Sequence, residues 1–272
     1  MIKDIIRDIT PPILVKGYKK VKRLAMNRNG LLPPDKLLPI VGAGDFRQVG
    51  ESFLNILVEN GRLQPNDKVL DVGCGIGRIA IPLTTYLKGD YEGFDIIADG
   101  IEWCRKEIST RYPNFHFRLA DIHNKEYHPS GRYTAAEYKF PYGDGEFDFV
   151  FLISVFTHLL PPDLENYFSE IARVLKPGGR CLISYFILNM ESMKLVHAKL
   201  SRRDFRYGGG VFRTINKGNP EAGIAYHEPY IRSLYNKNSF QIVEPICYGS
   251  WSGRKKFLSY QDIVVAEKKR LF

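Results

Sequence analysis

The most constraining feature of the chain is a glycine-rich turn between a short apolar strand and a helix. Residues 68–72, Lys-Val-Leu-Asp-Val, predict a buried strand, and Gly73, Gly75 and Gly77 follow it. Glycine adopts the left-handed backbone readily and, without a Cβ atom, lets a ligand come close to the main chain. The amides at the start of the next helix favour a polar or anionic ligand group. The turn therefore predicts a ligand site at the carboxyl end of this strand.

The pattern on either side of the turn predicts an α/β fold. Short apolar runs indicate strands, and apolar residues at every third or fourth position indicate helices. The predicted strands are residues 68–72, 91–95, 115–119, 147–153, 180–188, 241–248 and 263–266. The predicted helices are residues 46–60, 79–87, 99–111 (with Asp99 as N-cap), 163–175 and 227–237. Because the two kinds of element alternate, we expect a Rossmann-like, doubly wound, mostly parallel seven-stranded sheet with helices on both faces.

The length of 272 residues suits one such domain with additions. We expect residues 1–45 to form a basic amphipathic arm with a linker, and residues 46–272 to form the α/β domain. We expect residues 189–226 to form a lid-like insert, in which arginines and aromatic residues surround the glycines at 208–210. Arginines there would suit a phosphate or carboxylate, and glycines a hinge, while a solvated surface loop is the open alternative.

Charge is concentrated in the arm. The chain carries a net charge of +9, and its first 30 residues contain eight Lys and Arg side chains against two Asp. A nucleic-acid-binding protein would need a basic face on its main domain, so we expect no nucleic acid partner. Residues 1–26 would either lie on an anionic membrane surface or pack over the ligand site. Packing of this arm over the ligand site is favoured, because the apolar stripes of its two amphipathic pieces are short.

Cysteine and histidine spacing argues against a disulfide framework or a metal site. The cysteines at positions 74, 104, 181 and 247 form no Cys-x-x-Cys pair, and the six histidines form no His-x-His or His-x-x-x-His pair. No apolar run reaches the ~18 residues of a membrane span, and the start has no signal-peptide pattern. We expect a cytoplasmic protein without a metal, with peripheral contact at the inner membrane face as the open alternative.

An acidic residue ends the strand that follows the turn. Asp95 stands 20 residues after Gly75, where its carboxylate would meet ribose hydroxyls at the mouth of a doubly wound sheet. The glycine spacing is Gly-x-Gly-x-Gly, and Arg78 occupies the position of the third glycine in the nicotinamide fingerprint. This spacing argues against a site that binds the pyrophosphate of a nicotinamide dinucleotide.

These motifs together resemble class I S-adenosylmethionine-dependent methyltransferases. The resemblance rests on Asp-Val-Gly-Cys-Gly-Ile-Gly at residues 71–77, on Asp95, and on Leu-Lys-Pro-Gly-Gly at residues 175–179, and it covers about residues 46–188. It implies S-adenosyl-L-methionine as the cofactor. The cofactor-binding residues that it implies are Asp71, Gly73, Cys74, Gly75, Asp95, Ile96, Asp121, Ile122 and Ser154.

The resemblance also implies a role in cofactor binding for these residues. Gly73 and Gly75 would let the methionine portion pass close to the backbone, while Asp71 would organise the turn or meet the amino group through water. Asp95 would hold the ribose hydroxyls, and Ile96 would pack on the adenine.

Three later residues complete this set of cofactor-binding candidates. Asp121 and Ile122 would meet the edge and face of the adenine, and Ser154 would lie beside the methionine end. A solvated loop carboxylate is the alternative for Asp121. All of these positions follow strand ends, where open α/β sheets bind ligands.

Methyl transfer requires alignment of acceptor and methyl group, and a hydroxyl acceptor must also lose a proton. His158, directly after the fourth strand, is the first candidate for the base, and His227 is the second. A histidine that only supports the loop is an equal alternative for His158. The Ile-Ser-Val-Phe sequence at residues 153–156 replaces the Asn/Asp-Pro-Pro-aromatic motif of enzymes that methylate amino groups of nucleic acids.

The sequence thus predicts a methyltransferase that acts on a hydroxyl of a small-molecule or glycan-type acceptor. Two alternatives remain at this stage: N- or C-methylation of a metabolite, and a non-catalytic protein that only binds S-adenosylmethionine.

Overall fold

The computed structural model describes residues 30–42, 44–125 and 127–270. The arm predicted for residues 1–26 lies outside the described residues. None of the helices that the structure describes is long and apolar enough to cross a membrane.

The chain forms two compact units. Within the described residues, the first consists of residues 30–132 and 147–151, and the second of residues 133–146 and 152–270. The chain therefore passes between the units three times, after Arg132, after Glu146 and after Phe151.

The described residues contain α-helices and strands that alternate over the first half of the chain, as predicted. The α-helices are α1 (Phe46–Glu59), α2 (Ala80–Leu83), α3 (Ala98–Cys104), α4 (Pro161–Val174), α5 (Met190–His197) and α6 (Glu228–Lys237). The strands are β1 (Val69–Val72), β2 (Tyr91–Asp95), β3 (Phe115–Leu119), β4 (Phe147–Leu152), β5 (Leu175–Tyr185), β6 (Ile187–Leu188), β7 (Tyr207–Gly209), β8 (Phe212–Thr214), β9 (Ile224–His227), β10 (Phe240–Ile242) and β11 (Asp262–Lys268).

The predicted seven-stranded sheet is confirmed, with the strand order β10-β11-β5-β4-β1-β2-β3. In the first unit, β1 pairs in parallel with β2 and with β4, and β2 pairs in parallel with β3. All four residues of β1 and all five of β2 are buried, because helices cover both faces of a parallel sheet. Two aromatic rings stabilise the edge of this sheet, where Tyr91 stacks on Phe115 with centroids 4.8 Å apart.

In the second unit, β11 pairs antiparallel with both β5 and β10. Helix α4 also holds the chain segment before β4. The Arg173 guanidinium donates to the carbonyl oxygens of Tyr142 (2.8 Å) and Phe140 (3.0 Å), and the Glu170 carboxylate accepts from the Phe140 amide at 2.7 Å. These charge-assisted bonds satisfy backbone groups that no strand or helix pairs.

The predicted insert is an ordered substructure. It contributes α5 and strands β7, β8 and β9, and with β6 these strands form a second sheet in the order β6-β9-β8-β7. Gly208 and Gly209 pair with β8, so the glycines that suggested a hinge lie in a β-hairpin. Phe186, Phe205 and Trp251 form a buried aromatic cluster in this part of the unit, with ring centroids 5.2–5.4 Å apart.

Several predicted element boundaries were wrong. The strand expected at residues 241–248 ends early, at Phe240–Ile242, and the helix expected at residues 99–111 continues after α3 as a π-helical segment, Arg105–Ser109. The helix expected at residues 79–87 shortens to α2. The hydroxyl of Thr84 donates to the Ile81 carbonyl at 2.6 Å, and the amides of Thr85 and Tyr86 bond to carbonyls three residues back, as in turns. Asp99 is not an N-cap: α3 begins at Ala98, so Asp99 lies in the first turn. The amide of Ile97, the N-cap residue, donates to Asp95 instead, at 3.0 Å.

The strand expected at residues 180–188 differs at both ends. It begins earlier, so the glycines at 178 and 179 lie within β5, and it breaks after Tyr185. Ile187 and Leu188 form the separate strand β6, which pairs in parallel with β9 of the second sheet.

Glycine 50 allows helix α1 to contact the main chain that follows the glycine turn. A Cβ atom added at Gly50 would lie 2.3 Å from the carbonyl oxygen of Arg78. Any larger residue would therefore push the helix away from the turn.

We expect Gly50→Ala to lower the free energy of unfolding by about 1–3 kcal/mol, the usual cost of overpacking. Helix propensity alone predicts the opposite sign, a gain of about 1 kcal/mol. Urea unfolding of the two proteins measures the difference. Gly209→Ala is the matched control, since its added Cβ atom would meet nothing within 4 Å. Equal or greater stability of the Gly50 variant would contradict this account of the packing.

Candidate functional site

The glycine turn has the backbone conformation that its sequence predicts. Gly73, Gly75 and Gly77 have φ angles of 84°, 56° and 76°, all in the left-handed region that favours glycine. The turn joins β1 to α2, so it lies at the carboxyl end of a central strand of the first unit.

Two further glycines, which the sequence analysis did not single out, pack against this turn. An added Cβ atom at Gly100 would lie 2.9 Å from the Gly75 carbonyl oxygen, and one at Gly93 would lie 3.0 Å from the Cys74 Cβ atom. The turn is thus held by direct backbone contact. Cys74 is buried, and its side chain faces Gly93, which leaves its backbone as the part available to a ligand.

Asp95 connects the end of β2 to the turn. Its carboxylate accepts hydrogen bonds from the Gly75 amide at 2.7 Å and from the Ile97 amide at 3.0 Å. Burial raises the pKa of Asp95, while these amide bonds oppose the shift. A carboxylate can accept about four hydrogen bonds, so Asp95 retains acceptor capacity for a ligand hydroxyl group. Together with the left-handed glycines, this arrangement fits an adenosyl cofactor.

Asp71 lies within β1 and is almost fully buried. The Tyr91 hydroxyl donates to its carboxylate at 2.6 Å. Burial raises the pKa of Asp71 to about 8, an effect that the bond from Tyr91 opposes and the nearby Asp95 increases. The group is therefore mostly protonated at neutral pH.

Asp121 has partners within its own loop. Its carboxylate accepts from the guanidinium and the backbone amide of Arg132, the latter at 3.1 Å, and His128 Nε2 lies 3.4 Å away. The bonds from Arg132 lower the pKa of Asp121. Ile122 beside it is buried and Ile96 is half-buried. The sequence signals neither the Arg132 nor the His128 contact, since both join residues of an irregular loop.

In the second unit, Ser154 follows β4 in a strained conformation. Its φ angle is 62°, which is unusual for a residue with a side chain. The Ser154 amide donates to Ser184 Oγ at 2.8 Å, and the hydroxyls of Ser154 and Ser184 donate to Gln261 Oε1 at 3.0 and 2.6 Å. These bonds hold the strained residue. Gln261, far away in sequence, was not predicted.

His158 lies in a short 3-10 segment, Phe156–His158, and is exposed. Its Nδ1 atom lies 2.7 Å from the backbone carbonyl oxygen of Glu221. Because a carbonyl oxygen only accepts, Nδ1 carries the hydrogen, which leaves Nε2 as the ring nitrogen that can accept a proton.

His227 ends β9 and is the N-cap residue of α6. Partial burial and the charge of Arg213 lower the pKa of His227. The Arg213 Nε atom is buried and has no hydrogen-bond partner in the part of the chain that the structure describes.

The protonation of Asp71 predicts a pH dependence of stability. The group has a pKa of about 8 when folded and an ordinary value of 3.8, so the folded state binds the extra proton between these values. Its contribution to stability is complete below pH 4 and is lost as the pH rises towards 8. The slope is at most about 1.4 kcal/mol per pH unit.

We expect Asp71→Asn to remove this slope. Urea unfolding at pH 5, 6 and 7 should show wild type losing stability relative to the variant as the pH rises. Asp90→Asn, at an exposed carboxylate, controls for the loss of a charge. If wild type and the Asp71 variant kept a constant difference across this range, Asp71 would not be the titrating group.

Comparison with known proteins gives the family. The model of a family described as a methyltransferase domain matches residues 63–227, more than half of the chain. The 27-O-demethylrifamycin SV methyltransferase of Amycolatopsis mediterranei is 31% identical over 129 residues, which are 46% of this chain and 41% of the relative. Sterol 24-C-methyltransferase ERG6B of Gibberella zeae is 32% identical over 137 residues, 48% of this chain and 32% of the relative. The chain thus spans less than half the length of these curated relatives.

Solved structures show the same fold. Magnesium protoporphyrin IX methyltransferase from Synechocystis PCC 6803, with bound S-adenosylhomocysteine, has a TM-score of 0.53 at 18% identity, over 94% of this chain and 99% of that one. The family match, the seven-stranded sheet and the glycine turn agree. The chain belongs to the class I S-adenosylmethionine-dependent methyltransferases.

Proposed function

We propose that the chain transfers the methyl group of S-adenosylmethionine to a hydroxyl oxygen of a small-molecule or glycan-type acceptor. Bound S-adenosylmethionine supplies a methyl group on a sulfonium. The leaving group is a neutral thioether, which needs no protonation by an acid. The protein then has to align the acceptor and remove its hydroxyl proton. The observation that carries the proposal is the orientation of the His158 ring.

His158 is prepared for proton removal by its contact with Glu221. The 2.7 Å bond from Nδ1 to the Glu221 carbonyl fixes the tautomer, so the Nε2 lone pair is available to an acceptor hydroxyl. Since the side chain is exposed, the proton it takes can pass to solvent.

His227 is the second candidate base. The lowered pKa of His227 keeps its ring neutral near pH 7, as a base requires. Arg213 beside it is a cation that would suit an acceptor with a phosphate or carboxylate group.

The cofactor would be held in the first unit. Asp95 has acceptor positions for the ribose hydroxyls, and Gly73 and Gly75 let the methionine portion pass close to the backbone. A protonated Asp71 would organise the turn through Tyr91, which leaves direct binding of the cofactor's amino group to other groups. Asp121 and Ile122 would border the adenine, and the lowered pKa of Asp121 keeps its carboxylate ready to accept from an amino group.

The names of the relatives favour a small organic acceptor, since one methylates a rifamycin and another a sterol. The rifamycin enzyme is described by an oxygen position and the sterol enzyme by a carbon position. N- or C-methylation is therefore the alternative outcome of the experiments below.

We expect Asp95→Ala to weaken binding of S-adenosylhomocysteine about 30-fold, because a buried carboxylate bonded to two hydroxyls contributes about 2 kcal/mol. Calorimetric titration of both proteins measures the change. Asp99→Ala is the matched control, since Asp99 is exposed and lies four residues away, in the first turn of α3. Unchanged affinity in the Asp95 variant, or tighter binding of NAD by wild type, would contradict this cofactor site.

We expect His158→Ala to slow methyl transfer at least 100-fold while leaving S-adenosylhomocysteine affinity unchanged, because the base acts on the acceptor alone. The assay follows methyl-labelled S-adenosylmethionine with a panel of alcohols, phenols and sugars, and a matched panel of amines. His197→Ala, at an exposed histidine of α5, is the control.

The product identifies the acceptor atom. Labelled ethers would support O-methylation, whereas labelled amines at an undiminished rate in the His158 variant would overturn it in favour of N-methylation. Cofactor binding without transfer to any panel member would favour a protein that binds the cofactor without catalysis.

A further inference from the structure

A cavity of about 380 Å³ lies in the first unit, beside the glycine turn. Residues that line it include Leu32, Leu38, Val41, Phe46, Arg47 and Arg78. Val41 joins the cavity to the turn, since its Cγ1 atom lies 3.2 Å from where a Cβ atom on Gly75 would be. A water molecule takes about 30 Å³ in the liquid, so the cavity has room for a charged group and part of its carbon chain.

On the lining of this cavity, the packing leaves the side chain of Arg78 without a polar partner among the described residues. It is half-buried, and burial alone lowers its pKa to about 10. Among the described residues the guanidinium has neither a hydrogen-bond partner nor an ion-pair partner. A guanidinium carries five N–H donors in a fixed plane and remains charged, so enclosing it without an acceptor costs free energy. A ligand oxyanion would supply that acceptor.

The charged side chains on the cavity lining leave it positive. Arg47 also lines it, with an exposed side chain that faces the same space. Among the described residues on the lining, one is a carboxylate: Asp45, which caps α1 by accepting from the Gln48 amide at 2.8 Å. Glu51 borders a neighbouring pocket of about 20 Å³, which Arg47 and Arg78 also line, and Glu51 has an interaction of its own. On the lining of the larger cavity, two arginine side chains thus stand against one carboxylate that already accepts a hydrogen bond.

We propose that this cavity is an oxyanion site, in which Arg78, assisted by Arg47, binds a carboxylate or phosphate group of a ligand held at the glycine turn. The planar guanidinium of Arg78 suits the two oxygens of such a group. Two sources carry this chemistry: the carboxylate on the methionine portion of the cofactor, and an anionic group on the acceptor. The site does not depend on whether the acceptor atom is oxygen.

Calorimetric titration separates the two sources. Wild type and Arg78→Met are titrated with S-adenosylhomocysteine and with S-adenosyl-3-thiopropylamine, which has the same structure without the carboxylate. If the cofactor is the source, the variant loses at least tenfold in affinity for the first compound and less than twofold for the second. Inorganic phosphate is titrated into both proteins, with and without S-adenosylhomocysteine, to detect the acceptor as the source. In that case the variant loses at least tenfold in phosphate affinity, while its affinity for S-adenosylhomocysteine is unchanged.

Arg62→Met is the matched control, since it removes the same charge from an exposed residue of the same unit. If the Arg78 variant does not fold, the same titrations are made with Arg47→Met, because Arg47 is exposed and its replacement leaves the packing intact. Equal weakening of both adenosyl compounds would mean that Arg78 only supports the turn, and this would overturn the proposal. Unchanged binding of all three probes would overturn it as well. The phosphate titration needs no cofactor binding, so its result stands apart from that of the Asp95 experiment.

Discussion

The first unit depends on close backbone contact around the glycine turn. Gly50 brings α1 against the Arg78 carbonyl, and Gly100 brings α3 against the Gly75 carbonyl. Because no side chain separates these main-chain atoms, small shifts of either helix would move the turn itself. Close packing of this kind transmits displacement and resists compression. The turn is consequently positioned by the two helices as well as by β1.

The fold was predictable because its determinants are local. Short apolar or alternating sequence patterns predicted all seven strands of the main sheet, and the helical spacing of apolar residues predicted α1 and α4. The errors arose where side chains bond the nearby backbone: the Thr84 hydroxyl donates to the Ile81 carbonyl where α2 ends, and Asp95 accepts from the Ile97 amide at the N-cap of α3. The small second sheet was missed because its strands have only two to four residues, which is too short for a period to appear.

The candidate site was predictable only in part. Its turn glycines and Asp95 are visible in sequence because they follow adjacent strands, and strand ends meet at one edge of a parallel sheet. The contacts of Gly93 and Gly100 with the turn, and of Gln261 with Ser154, join residues distant in sequence, which no local pattern signals. The raised pKa of Asp71 likewise follows from three-dimensional burial, and its sequence position suggests an ordinary carboxylate.

The three crossings of the chain between its units have a consequence for how the gene can evolve by recombination. Strand β4, which pairs with β1 inside the first unit, reaches it only after the chain has already entered the second. Neither unit is encoded by one contiguous stretch of the gene, so cleaving the chain at one point separates neither unit intact. Recombination between related genes would need several crossover points to exchange one unit for another. We therefore expect the two units to be inherited together in related proteins. The family match at residues 63–227 includes all three crossings.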